Sequence, residues 1–174
     1  ASSKVETKKE IVSNIENILG DKINGQTVLE IGCFIGDLIA YLRDNHKCIV
    51  SGIEPSAKAC EFAKKNWNLA IINEIYTQTE FLKCETKNKE KFDLIVIDDV
   101  LSWMPRETIL PVLGSIDWMI KPGGLIYLRD FCPSIDFAFP NHHQRDKNVY
   151  NYKVSGGHKK FFLSTGNYII QQEL

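Results

Sequence analysis

The stretch VLEIGCFIGDL, residues 28–38, decides how the rest of the chain is read. Its apolar opening, Val28 to Ile31 with Glu30 inside it, reads as a buried strand. Gly32 and Gly36 follow with Phe34 between them, and Leu38 and Ile39 begin a helical pattern. Strand, glycine turn and helix in immediate succession open a βαβ unit, whose ligand site lies just past the strand's carboxyl end. A dinucleotide does not suit this turn. The GxGxxG fingerprint needs glycine at its third and sixth positions, and counted from Gly32 these hold Phe34 and Asp37. The glycine-lysine signature of a phosphate loop is absent as well.

Upstream, residues 8–19 carry Ile11, Val12, Ile15, Ile18 and Leu19 at helical spacing, with Gly20 placed to end the helix. Downstream, strand and helix signals alternate. Residues 37–44 predict a helix, 48–53 a second strand, and 56–66 a helix opened by Ser56. A third strand is expected at 70–76, a fourth at 92–97, a helix at 106–120 and a fifth strand at 125–128. Two further strand-like runs, 160–163 and 168–171, are joined by a short polar link and predict a hairpin. The expected fold is α/β: a Rossmann-like, seven-stranded, mostly parallel sheet with an antiparallel C-terminal hairpin strand and helices on both faces. With no repeat and no linker, residues 1–174 read as a single domain.

Composition is that of a globular protein, 44% hydrophobic and 25% charged. A net charge of −1 argues against a general nucleic-acid or membrane-surface binder. No apolar run approaches the ~20 residues of a membrane span, and the polar opening ASSKVETKKE has no signal-peptide pattern. The five cysteines (33, 48, 60, 84 and 132) form neither a CxxC pair nor a zinc spacing. They read as reduced thiols of a cytoplasmic protein, and no metal site is assigned.

Four pieces stand in register: VLEIGCFIGDL, SGIEPS, FDLIVIDDVLSWM and IKPGGLIYLRDF. With them, residues 25–130 resemble the class I S-adenosylmethionine-dependent methyltransferases, with Phe34 departing from the ExGxGxG turn of that family. The resemblance implies S-adenosylmethionine as cofactor and S-adenosylhomocysteine as product. It implies a cofactor site at Glu30, Gly32, Cys33, Phe34, Gly36, Glu54, Pro55, Thr77, Asp98 and Asp99. Glu30 would serve the methionine ammonium, and Glu54, 24 residues later, would accept from both ribose hydroxyls. Gln78 and Thr79 share the adenine-side position with Thr77. Trp103 is open to two readings, a wall of the acceptor pocket or a core tryptophan.

The segment between the fifth strand and the expected hairpin, residues 131–159, reads as an acceptor-side loop or lid. Three of the four histidines fall there, and from Arg129 to Lys160 the local charge balance is +3. Arg129, Arg145, Tyr150, Lys153 and His158 are the expected acceptor contacts, and His142, His143 and Asp99 the expected catalytic groups. The pattern RDF…P…N-x-H/H-H…Y-x-Y-K…G-H…F-L…G-x-Y is also similar to small bacterial methyltransferases of surface-polysaccharide modification, some of which act on phosphoramidate. That resemblance implies a small, anionic, phosphoryl-type oxygen acceptor. A sugar hydroxyl with a histidine base, a non-catalytic cofactor-binding module and aminopropyl transfer stay open. So does a magnesium variant built on Asp98 or Asp99 with Asp130. The oligomeric state is not legible.

Overall fold

The structure, a computed structural model, describes residues 2–74, 92–141 and 150–173. Helix α1 (Ser2–Leu19) leads through a 3-10 turn (Gly20–Ile23) into strand β1 (Thr27–Ile31). Then come α2 (Asp37–His46), β2 (Ile49–Ile53), α3 (Ala57–Trp67) and β3 (Phe92–Asp98). A second 3-10 turn (Leu101–Trp103) precedes α4 (Arg106–Met119) and β4 (Ile120–Arg129). The described chain finishes with β5 (Phe137–Pro140), β6 (Tyr150–Lys153) and α5 (Lys159–Ser164).

Strands β1 to β4 form one parallel sheet in the order β2-β1-β3-β4. The chain leaves β1 toward one edge and returns to its other side, so the order reverses between β1 and β3. A crevice opens beyond the carboxyl ends of strands at such a point. The two-residue period of a strand sorts the core. Leu29, Ile31, Ile95 and Ile97 pack against α4 through Ile109, Val112, Leu113 and Ile116. Val28, Leu94 and Val96 face the other way, against Ile11 and Ile15 of α1 and Leu38, Ile39 and Leu42 of α2. Glu30 and Asp98 share the parity of Val28 and Val96, which turns both carboxylates toward α1.

The α/β expectation, with a parallel sheet and helices on both faces, matches the structure. The strand inventory differs. Four parallel strands are present among the described residues, in place of seven. The third expected strand reduces there to one parallel bridge, Ile53 to Ile72, and residues 75–91 lie outside the described part.

The C-terminal hairpin is overturned. Residues 160–163 belong to helix α5, and 168–171 join no ladder. The apolar run Phe161-Phe162-Leu163 imitates a strand, but the helix buries Phe162 against Tyr168, ring centroids 5.2 Å apart. Tyr168 in turn donates its hydroxyl to Asp117 Oδ1 at 2.5 Å, fastening the tail over α4. The antiparallel pairing sits earlier, where β5 and β6 form a separate ribbon within residues 131–159. No helix among the described residues is long and apolar enough to cross a membrane.

Candidate functional site

The turn after β1 is built by backbone hydrogen bonds to the end of β2. Gly32 and Cys33 donate their N–H groups to Ile53 O at 2.8 and 3.1 Å, and Phe34 N–H donates to Glu54 Oε2 at 2.9 Å. Three successive amides are therefore committed to the protein, and the turn is not an anion cradle of the kind a pyrophosphate needs. Phe34 holds φ +50°, the left-handed region where glycine is at ease, and its ring is half exposed. Gly32 needs its missing side chain: at φ +75° a Cβ would lie 2.5 Å from Val100 Cγ2.

Glu54 receives a second backbone donor, Ser56 N–H at 2.8 Å on Oε1, before Ser56 caps α3 through Ala59 N–H. Both carboxylate oxygens are oriented, and each keeps lone pairs for a hydroxyl. Glu30 contrasts with it. It is wholly buried, its Oε1 receives Lys8 Nζ at 2.5 Å, and its Oε2 has no hydrogen-bond partner among the described residues. Burial pushes its carboxyl up to about 7, against the pull of Lys8. Burial pulls the Lys8 ammonium down, but Glu30, Asp37 and Asp98 together push it up. A glycine-bounded turn, a diol-ready carboxylate and an orphaned buried carboxylate oxygen fit a ligand that is cationic and hydroxylated and carries no phosphate.

Beyond β3 and β4 the arrangement is denser. Asp98 is held by Arg129, Nε to Oδ1 at 2.6 Å, and lies 4.0 Å from Lys8 Nζ. Asp99 is exposed with φ +54°, its N–H tied to Arg129 O at 2.8 Å. Asp130 is buried. It accepts from Ser102 N–H at 2.9 Å, from the Ser102 hydroxyl, and from Phe131 N–H at 2.7 Å. His158, also buried, brings Nδ1 to 3.4 Å from Asp130 Oδ2, and neither of its ring nitrogens completes a hydrogen bond among the described residues. Burial opposes ionisation of Asp130, yet His158 and Ser102 hold its carboxyl below the usual range.

The ribbon of β5 and β6 docks onto the second 3-10 turn through buried Asn141, which donates to Trp103 O at 3.2 Å and Asn151 Oδ1 at 2.9 Å. This docking encloses Lys153. Its ammonium sits over the rings of Trp103, Phe131 and Phe139, 5.1, 5.1 and 5.3 Å from their centroids. Burial pulls the Lys153 ammonium down, against the fields of Asp130 and Asp99. It makes no ion pair among the described residues.

The structure brings together two groups of the expected residues. Glu30, Gly32, Phe34, Gly36 and Glu54 gather at the β1–β2 end, Asp98 stands between the groups with Lys8 on one side and Arg129 on the other, and Asp99 follows at the exposed end of β3. Lys153, His158 and Arg129 gather at the β3–β4 end, although Arg129 is engaged by Asp98. Cys33 is buried under Gly52, its thiol pushed up by burial, while Pro55 is exposed at the head of α3 and Tyr150 is exposed at the start of β6. Thr77, His142, His143 and Arg145 lie outside the described residues. Sequence reading missed Lys8, Ser102 and the rings of Phe131 and Phe139, and it weighed Asp130 only as a metal ligand. Lys8 left a signal. It shares a helix face with Ile11 and Ile15, three and seven residues on, where a charge is out of place unless partnered.

Residues 29–126 match the family model described as a methyltransferase domain. A phosphoethanolamine N-methyltransferase of Triticum aestivum is 31% identical over 87% of this chain and 29% of its own length. O-methyltransferase 3 of Dictyostelium discoideum is 27% identical over 92% of this chain and 38% of its own length. The chain thus spans about a third of the curated relatives it matches. Among solved structures, N-methyltransferase NodS from Bradyrhizobium japonicum WM9, in complex with S-adenosyl-L-homocysteine, superposes with a TM-score of 0.57. The match has 21% identity and covers 91% of this chain and 73% of that one.

Proposed function

Because the chain belongs to the methyltransferase domain family, we propose that it methylates an oxygen of a small, anionic, phosphoryl-type acceptor, using S-adenosylmethionine. The setting we favour is surface-polysaccharide modification inside the cell. The cofactor supplies a sulfonium-borne methyl group open to in-line displacement. Glu30 would bind its ammonium, Glu54 its ribose hydroxyls, and the backbone of Gly32 and Phe34 would pass close to its methionine tail. The acceptor would enter beyond β3 and β4, past Asp99.

Lys153 carries this reading. It is a buried ammonium held by ring faces, with no directly paired carboxylate among the described residues, at the end of the sheet where an acceptor would meet the cofactor. A phosphoryl oxygen is already a nucleophile, so alignment matters more than base assistance. Where the acceptor is a hydroxyl, His158 Nε2, backed by Asp130, would be the proton acceptor.

A second reading has its own support. The ring faces of Trp103, Phe131 and Phe139 that hold an ammonium would also hold an amine acceptor, and the wheat relative is named for N-methylation of phosphoethanolamine. The test supplies methyl-labelled S-adenosylmethionine with phosphorylated sugars, sugar phosphoramidates and ethanolamine phosphate. Label recovered as a phosphate methyl ester, with the acceptor KM raised about tenfold or more by Lys153→Met, is expected. Label on nitrogen establishes the amine reading instead. No methylated product from any of them defeats both.

A further inference from the structure

We propose that Lys8 and Glu30 form one subsite for the zwitterionic amino-acid end of the cofactor, Glu30 taking the ammonium and Lys8 the carboxylate. This rests on the S-adenosylmethionine reading of the site and goes beyond it by giving helix α1 a direct part in binding.

Three observations lead there. First, Lys8 is not a loose side chain at a fraying end. Ile11 and Ile15, on the same face of α1, are wholly buried against β1 and α2. Undocking the helix would expose both to water, which the hydrophobic effect opposes, so Lys8 is held beside Glu30. Second, the pair is unfinished. Among the described residues Glu30 uses only Oε1, its buried Oε2 lacks a donor, and the Lys8 ammonium, with three N–H groups, spends one strong bond on Oε1. Asp98 Oδ2, 4.0 Å from Nζ, is beyond hydrogen-bond reach and is already engaged through Oδ1 by Arg129. Donors on Lys8 and an acceptor on Glu30 are thus both in surplus.

Third, the charges balance. A buried ion pair that meets a zwitterion stays neutral overall, so neither partner is left as an uncompensated buried charge. A ligand with the ammonium alone would crowd two cations onto Glu30. A ligand with the carboxylate alone would set two anions against Lys8. The pair therefore selects for both charges together. Lys8 is also reached from outside, by a groove between α1 and α2 lined by Val12, Ser13, Asp37, Leu38 and Tyr41.

The experiment is calorimetric titration of the unaltered protein, Lys8→Met and Lys8→Arg with three probes. These are S-adenosylhomocysteine, its decarboxylated analogue, and 5′-methylthioadenosine, which has neither charge. The unaltered protein is expected to prefer S-adenosylhomocysteine to the decarboxylated analogue by about tenfold or more, as a charge-assisted contact implies. Lys8→Met should erase that preference and leave 5′-methylthioadenosine unchanged, while Lys8→Arg should keep most of it. Equal losses for the two amine-bearing probes would mean that Lys8 serves only Glu30, and tighter S-adenosylhomocysteine binding that Lys8 competes with the ammonium. Either overturns the proposal. If Lys8→Met loses all binding, Lys8→Arg decides: no preference there overturns it too. Failure of the unaltered protein to bind S-adenosylhomocysteine and 5′-methylthioadenosine is a different result, and it removes the cofactor reading itself.

Discussion

The two ends of the crevice solve opposite problems. At the β1–β2 end, charges are few and the backbone positions them: Glu54 is gripped by two N–H groups, Phe34 and Ser56, and Glu30 meets one lysine. At the β3–β4 end, side chains position one another. Asp98 holds Arg129, Ser102 holds Asp130, and three rings hold Lys153. A backbone-built site suits a ligand that every member of a family shares, because it depends on chain path more than on any one side chain. A side-chain-built site can be rewritten residue by residue, which suits an acceptor that differs between relatives. The cofactor end is thus expected to be intolerant of single changes, and the acceptor end specific but adjustable.

The largest expected effect breaks the backbone-built end. Glu54→Ala removes two oriented oxygens from the proposed ribose side and takes from Phe34 N–H and Ser56 N–H the carboxylate they donate to. Two charge-assisted hydrogen bonds correspond to about a hundredfold or more in affinity, so S-adenosylhomocysteine binding should fall by at least that factor. Binding within threefold of the unaltered protein would show that Glu54 only staples the turn.

Next in size is the pH dependence of stability at Glu30. Its carboxyl is raised from the ordinary 4.5 to about 7 in the folded protein. The native state therefore binds the extra proton across that window, and the contribution of Glu30 to stability is most favourable below 4.5 and falls as pH rises toward 7. The amplitude is on the order of 2–3 kcal/mol. Urea unfolding at pH 5 and pH 7.5 should show that loss in the unaltered protein and a much smaller one in Glu30→Gln. The same slope in both would place the titration elsewhere.

These contrasts also explain what the sequence disclosed. Most of the proposed cofactor end lies within residues 28–56, so a strand, a turn and a strand-end acid are read together and carry the family resemblance that implies the ligand class. The proposed acceptor end is assembled from 98–103, 129–139 and 150–158, segments whose meeting depends on a ribbon that the local pattern does not announce. Phe137 and Phe139 alternate as a strand should, yet with Pro140 and a polar neighbourhood they read as loop. Lys8 was hidden for another reason: a lysine near a chain end looks solvated until the strand parity of Glu30 and Asp98 brings two carboxylates to it. The misread tail shows the reverse error, since three adjacent apolar residues at 161–163 fit one helical turn as well as a strand.

The smallest effect sharpens the comparison at Phe34. A non-glycine residue in the left-handed region costs about 1–2 kcal/mol, and the ring recovers little of this by burial, since 47% of the residue is exposed. Glycine would relieve the strain but give back about 0.5–1 kcal/mol through the freer unfolded chain. The net gain for Phe34→Gly is therefore about 0.5–1 kcal/mol, or roughly 1–3 °C in Tm for a domain of this size. The N–H that reaches Glu54 survives the change, so S-adenosylhomocysteine affinity should stay within about threefold if the backbone alone lines the ligand. A clear loss of affinity with the Tm raised would mean that the benzyl ring covers the ligand. The cofactor end would then owe part of its grip to a side chain, and the division between the two ends would be one of degree.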